Sequence, residues 1–181
     1  MLIRAPVQAD LADWLLLWEG YNRFYGRHGP SALPENVTRT TWSRILDPKE
    51  NVNALVAGDQ GKLMGLAHYL FHKSTTRVEE VCYLSDLFVL PTTRGQGVGK
   101  ALLLAVYDKA RSAGSTRVYW QTRTDNASAR KLYDRLAKHD SFIVYAAEPE
   151  TAMAATHAGS GKRVMSGPEA DGASSFTFPE G

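Results

Sequence analysis

Leu84-Ser85-Asp86-Leu87-Phe88-Val89-Leu90-Pro91-Thr92-Thr93-Arg94-Gly95-Gln96-Gly97-Val98-Gly99-Lys100-Ala101 is the stretch on which the reading of this chain turns. An apolar run ends at a proline, three glycines alternate through a turn, and a second apolar run begins. The pattern is a strand, a glycine-rich turn and a buried helix. Glycines accept positive φ and let a ligand approach the backbone closely. The free N–H groups and partial positive charge of a helix start suit a phosphate or pyrophosphate. Arg94 and Lys100 add formal charge beside them. The turn therefore points to a phosphorylated ligand. Two common nucleotide loops fail the test. A G-x-x-x-x-G-K-[ST] loop ending at Gly99-Lys100 requires a glycine at position 94 and Ser or Thr at 101, where Arg94 and Ala101 stand. A dinucleotide fingerprint starting at Gly95 requires a glycine at position 100, where Lys100 stands, and belongs near the start of its fold.

Working outward, Val78 to Val89 is a strand that would be about 40 Å long at ~3.3 Å per residue, so a bend or bulge is expected inside it. Gly97 to Arg111 reads as a helix apolar on most sides, closed by Gly114, with Lys109 and Arg111 in its last turn. Upstream, Leu2 to Ala5 is a short strand. Asp10 then offers an N-cap to a helix with Leu11, Trp14, Leu15 and Trp18 on one face, continued by Tyr21, Phe24 and Tyr25. A second helix is expected over 35–46. Asn53 to Ala57 and Leu63 to Phe71 form a hairpin around Gly58-Asp59-Gln60-Gly61. Downstream come a strand over Arg117 to Gln121, a helix started by Asn126 with Ala129, Leu132, Tyr133 and Leu136 on one face, and a last strand over Phe142 to Tyr145. The order β-α-α-β-β-β-α-β-α-β predicts a mixed α/β domain around one sheet.

The chain has 181 residues, with 21 Lys plus Arg against 19 Asp plus Glu, a length that buries one sizeable core. Its single cysteine, Cys82, excludes an intrachain disulfide framework and a multi-cysteine zinc site, and reads as a small buried hydrophobe. The histidines show no metal-ligand spacing, so no metal is expected. The longest N-terminal apolar run, Trp14 to Trp18, is too short for a signal core or a membrane span. A soluble, cytoplasmic protein is the expectation, with no nucleic-acid partner and no membrane. The charge is uneven. Residues 148–181 hold five acids and two bases, and 21 of those 34 residues are Ala, Gly, Ser, Thr or Pro. That composition predicts an acidic, low-complexity, disordered tail after a folded body over 1–147 whose net charge is +5.

Arg94-Gly95-Gln96-Gly97-Val98-Gly99 matches every defined position of [RQ]-x-x-G-x-[GA], and Thr124-Asp125-Asn126-Ala127-Ser128-Ala129-Arg130-Lys131-Leu132-Tyr133 follows at the next helix. Together these resemble motifs A and B of the GNAT superfamily of acetyl-CoA-dependent N-acetyltransferases, closest to the branch of polyamine and small fungal histone and other protein acetyltransferases. The resemblance implies the acyl-CoA N-acyltransferase fold: α/β (α+β), with a mixed, mostly antiparallel sheet and helices on both faces. It implies acetyl-CoA as co-substrate and transfer of an acetyl group to a primary amine, whether of a small molecule, a polyamine-like compound, an amino acid or a protein lysine. Homodimerisation is left open. A non-catalytic acyl-CoA-binding or sensor module on the same fold is the alternative.

By position, the resemblance implies that the backbone of Leu87, Phe88 and Val89 pairs with the pantetheine arm, and that Arg94 and the amides from Gly95 through Gln96, Gly97, Val98 and Gly99 to Lys100 hold the pyrophosphate. It also implies that Asn126 contacts the cofactor further along, and that Tyr133 sits near its sulfur as the acid for the leaving thiolate. The amine must be neutral to attack, which costs roughly 4.6 kcal/mol for a group of pKa ~10.4 at pH 7, so a base is needed. Where the polyamine enzymes carry Leu-Glu-Asp, this chain has Leu84-Ser85-Asp86, with Ser85 in the position of their base. Asp86 is the preferred candidate, with Glu79 or Glu80 through a water behind it. A bulge amide near Phe88 is expected to meet the developing oxyanion. Tyr25, His28 and Glu35 are candidates for the acceptor side.

Overall fold

A computed structural model describes residues 1–59 and 61–148. The elements are β1 (Leu2–Arg4), α1 (Leu11–Phe24), α2 (Glu35–Leu46), β2 (Asn53–Asp59), β3 (Lys62–Ser74), β4 (Arg77–Val89), α3 (Val98–Ser112), β5 (Val118–Trp120) and α4 (Ala127–Tyr133). One sheet runs in the order β1-β2-β3-β4-β5, antiparallel except for the parallel β4–β5 pair. The expected mixed, mostly antiparallel sheet is therefore present. Residues 1–138 form one compact unit.

The strands alternate between two faces, as period-two side chains require. Val56, Leu63, Leu66 and Phe88 pack under α1 and α2 with Trp14, Leu17, Trp18, Tyr21 and Trp42. Leu55, Ala57, Ala67, Tyr69, Cys82 and Leu84 pack under α3 with Leu102, Leu103 and Val106. Helices thus cover both faces. Ties across the layers are specific: Trp18 Nε1 donates to Thr38 Oγ1 at 3.1 Å, joining α1 to α2.

Three expectations need correction. Asp10 is the N-cap residue of α1 as expected, but its side chain accepts from no amide of that helix. Its carboxylate is taken by Arg4, at 2.6 and 2.8 Å, and by the Val7 amide at 2.7 Å. The bidentate charged partner outcompetes the helix amides. Phe142–Tyr145 belongs to no strand. A four-residue apolar run has the pattern of a strand, but a strand exists only where a ladder partner does, and among the described residues these four have none. The bulge lies upstream of Phe88. His68 pairs with Asp86 and Tyr69 with Leu84, so Ser85 is the extra residue, while Phe88 pairs regularly with Leu66. The expected tail over 148–181 lies, beyond Glu148, outside the described residues.

Candidate functional site

The bulge at Ser85 changes the phase of β4. Cys82 and Leu84 face α3 before it, and Leu87 and Val89 face α3 after it, so Asp86 and Phe88 are turned toward α1. The parallel ladder stops at the same place. Cys82, Tyr83 and Leu84 pair with Val118, Tyr119 and Trp120, and the strands separate there, leaving Ser85 to Val89 without a partner on that side. A bulge both disrupts pairing and increases local twist, and here it opens one edge of the sheet.

A cavity of about 410 Å3 fills the opening. Ser85, Leu87, Phe88 and Val89 form one wall, and Trp120, Gln121, Asn126 and Tyr133 the other. Arg94, Gly95, Gly97, Val98, Gly99 and Lys100 close one end, and Tyr21 and Phe24 of α1, with Tyr25 just after it, line another part. Of the residues predicted for the site, Gln96 and Asp86 are off the cavity wall, as are His28 and Glu35. Glu79 and Glu80 are off it as well; all the others line it, Tyr25 included.

The glycine turn is built as a cradle. Gly95 and Gly97 have φ of +78° and +83°, conformations that an L side chain adopts only with strain, and added Cβ atoms there would meet open space. Gly97 is the N-cap of α3, so the unbonded amides of the first helical turn face the cavity end. Arg94 Nε donates to the Val89 carbonyl at 3.2 Å, drawing the turn against the end of β4. These free amides, the bordering cations Arg94 and Lys100, and the unpaired β4 edge fit a pyrophosphate-bearing pantetheine thioester.

Two further side chains are set by their neighbours. Asn126 caps α4, accepting from the Ala129 amide at 3.4 Å, and donates to Thr122 Oγ1 at 3.0 Å while lining the cavity. Tyr133 packs edge-on against Trp120, with ring centroids 5.2 Å apart, and burial pushes its hydroxyl up to about 12. It stays protonated at neutral pH, as an acid must.

On the α1 side of β4, a network appears that the sequence reading missed. His68 Nδ1 lies 3.0 Å from Asp86 Oδ2, and Trp14 Nε1 donates to His68 Nε2 at 3.0 Å. The Tyr21 and Ser85 side chains also stand beside the Asp86 carboxylate. Burial works to raise the Asp86 pKa, but His68, through its hydrogen bond first, and the polar Tyr21 and Ser85 side chains outweigh it and hold the carboxyl below the usual carboxylate range. The signal was one polar residue, His68, inside the apolar run Leu66-Ala67-His68-Tyr69. Its partner lies 18 residues away, reached only through the β3–β4 register. Among the described residues, no group of three or more His, Cys, Asp or Glu could hold a metal ion. No helix among them is long and apolar enough to cross a membrane.

Comparison with known proteins agrees with this geometry. Residues 14–137 match the Acetyltransferase (GNAT) family. The D-amino-acid N-acetyltransferase HPA3 of Saccharomyces cerevisiae is 34% identical over 147 residues, covering 80% of this chain and 89% of that one. The uncharacterized N-acetyltransferase YhfO of Bacillus subtilis is 30% identical over 135 residues, covering 75% and 87%. Among solved structures, the aminoglycoside acetyltransferase AAC(6')-Iy, in complex with a bisubstrate analog built on CoA, has the same fold, with a TM-score of 0.70 at 20% identity, covering 81% of this chain and 97% of that one. The chain therefore belongs to the GNAT acetyltransferase family and is an acetyl-CoA-dependent N-acetyltransferase.

Proposed function

We propose that this enzyme acetylates the primary amine of a small amino-acid-like acceptor by direct attack, without a covalent enzyme intermediate. The observation that carries the reading is that one cavity joins the glycine turn and open β4 edge to the aromatic corner of α1. Bound acetyl-CoA supplies an activated acyl thioester. The protein's part is to hold it along β4 with the backbone of Leu87 to Val89, to neutralise its phosphates with the Gly95–Lys100 amides, Arg94 and Lys100, and to offer the Tyr133 proton to the leaving sulfur. Asp86 is the group that finally holds the amine's proton.

Covalent catalysis through a thiol has no cysteine at the cavity to use. Cys82 is the chain's only cysteine, is 0% exposed in the α3-side core, and burial pushes its thiol up to about 11. The acceptor class follows from charge. No Asp or Glu lines the cavity among the described residues, whereas Arg135 does, in addition to the Arg94 and Lys100 that face the phosphates. A polycationic amine would lack counter-charges there, whereas an amine carrying its own carboxylate would not repel these walls. The yeast relative, a D-amino-acid N-acetyltransferase, supports the same class.

Thiol release from acetyl-CoA, measured with D- and L-amino acids, spermidine and a lysine peptide, tests the reading. Amino acids should give the fastest release. Faster release with spermidine would overturn the acceptor class. Acetyl-CoA should also raise the melting temperature, by RT ln(1 + [L]/Kd) in free energy, and an unshifted melting curve at millimolar acetyl-CoA would overturn the binding site.

A further inference from the structure

Asp86 is half-buried behind the cavity wall, with 14% of its side chain exposed, and His68 beneath it is 3% exposed. Tyr21, whose side chain stands beside the Asp86 carboxylate, lines the cavity. An indole N–H can only donate. The Trp14 bond therefore makes His68 Nε2 an acceptor and leaves the ring proton on Nδ1, facing Asp86 Oδ2. His68 is thus a neutral donor, and Asp86 keeps a full negative charge. An uncompensated carboxylate shielded from water is costly; this one is held by the His68 hydrogen bond and has the cavity-lining Tyr21 beside it.

We propose that Tyr21 takes the proton of the bound acceptor ammonium while passing its own hydroxyl proton to Asp86, with His68 as the positioning residue that holds Asp86 for the exchange. The step rests on the amine-acetylation reading above. An N–H bond of the ammonium breaks as a Tyr21 O–H bond forms; the former Tyr21 O–H bond breaks as an Asp86 carboxyl O–H bond forms. An ammonium and a carboxylate become a neutral amine and a neutral acid, so the amine can attack and a buried charge is discharged. The proton returns through Tyr21 to water after product leaves. The other groups facing this pair are Tyr83 from β4 and Tyr25 with Arg27 from the end of α1. The Arg27 guanidinium carbon stands 5.4 Å from the Tyr21 ring centre, and Arg27 Nε is tied to Asn22 Oδ1 at 2.7 Å.

The test is the pH profile of kcat/KM for thiol release with the best amino-acid acceptor, in wild type, Tyr21→Phe, His68→Leu and His68→Gln. With the relay, the enzyme accepts the ammonium form, and the wild-type profile is flat from mildly acidic pH to the amine's own pKa. Tyr21→Phe should lose about 10²-fold at neutral pH. Its profile should climb about tenfold per pH unit, as it depends on free amine alone, and meet wild type near the amine pKa. His68→Leu should move the acid limb upward in pH, and His68→Gln, which retains an N–H donor, should restore it. A Tyr21→Phe profile parallel to wild type, with acetyl-CoA binding retained, overturns the relay and leaves the acetylation reading standing. No thiol release from wild type with any amine overturns both. Should His68→Leu fail to fold, Tyr21→Phe, which removes one oxygen atom, decides alone.

Discussion

A methyl group placed on Gly20 of α1 would stand 2.7 Å from Cζ of Phe88, closer than carbon atoms approach. Phe88 belongs to β4 and lines the cavity, and is itself buried against Leu66 and the α1 tryptophans. The glycine in mid-helix is what lets α1 lie on the strand that carries the site.

Gly20→Ala sets two effects against each other. Alanine gains about 1 kcal/mol of helix propensity, and overpacking a filled core costs roughly 1–3 kcal/mol. Because the Phe88 ring is held between Leu66 and the α1 tryptophans and is open only toward the cavity, packing should win. Thermal denaturation should show a lower melting temperature, by about 2–4 °C per kcal/mol lost. A rise in melting temperature would mean the ring moves aside freely.

Trp14 and Trp42 face each other with ring centroids 4.9 Å apart, and both are buried. They differ in one bond. Trp14 Nε1 donates to His68, whereas Trp42 Nε1 has no hydrogen-bond partner among the described residues. Replacing either by Phe removes a similar apolar area. Trp14→Phe also strands the His68 Nε2 acceptor, an additional ~1–3 kcal/mol. Urea denaturation of the two variants should show that gap, and equal losses would remove the Trp14–His68 bond from the account.

Gly97 and Gly99 are two residues apart and should respond oppositely to alanine. At Gly97, φ of +83° costs an L-residue about 1–2 kcal/mol. At Gly99, inside α3, an added Cβ would sit 3.5 Å from Leu132 and 3.6 Å from Val89, in ordinary contact. Gly97→Ala should lower the melting temperature and raise KM for acetyl-CoA, whereas Gly99→Ala should hold its melting temperature. The same melting loss in both would show that φ is not what selects glycine at Gly97.

Tyr133→Phe keeps the ring against Trp120 and removes only the proton donor. We expect kcat at neutral pH to fall about 10²-fold, with acetyl-CoA affinity by calorimetry nearly unchanged. An unaltered kcat would take Tyr133 out of the acid role.

Local pattern was enough for most of the elements. The hairpin, the second helix over 35–46, the glycine turn and the helix after Asn126 are each announced within a few residues, by turn chemistry, caps and period. The glycine-turn end of the cavity was legible for the same reason, since its parts are contiguous and made of backbone. The last strand was misread because four apolar residues look alike with or without a ladder partner. The bulge was expected in β4, but its place at Ser85 depends on register against β3, a pairing that no local signal encodes.

Sequence alone thus determined the family's turn, the residues that line its end of the cavity and the alternation of β and α elements, because these are short-range consequences of glycine conformation and hydrophobic period. Only the tertiary structure decided the proton side of the site. Trp14, Tyr21, His68 and Asp86 come from α1, β3 and β4, and they meet because one extra residue in β4 turns Asp86 toward the helix that Gly20 lets approach. Read in order along the chain, they are two aromatics in a helical stripe, a histidine in an apolar strand and an aspartate beside a serine.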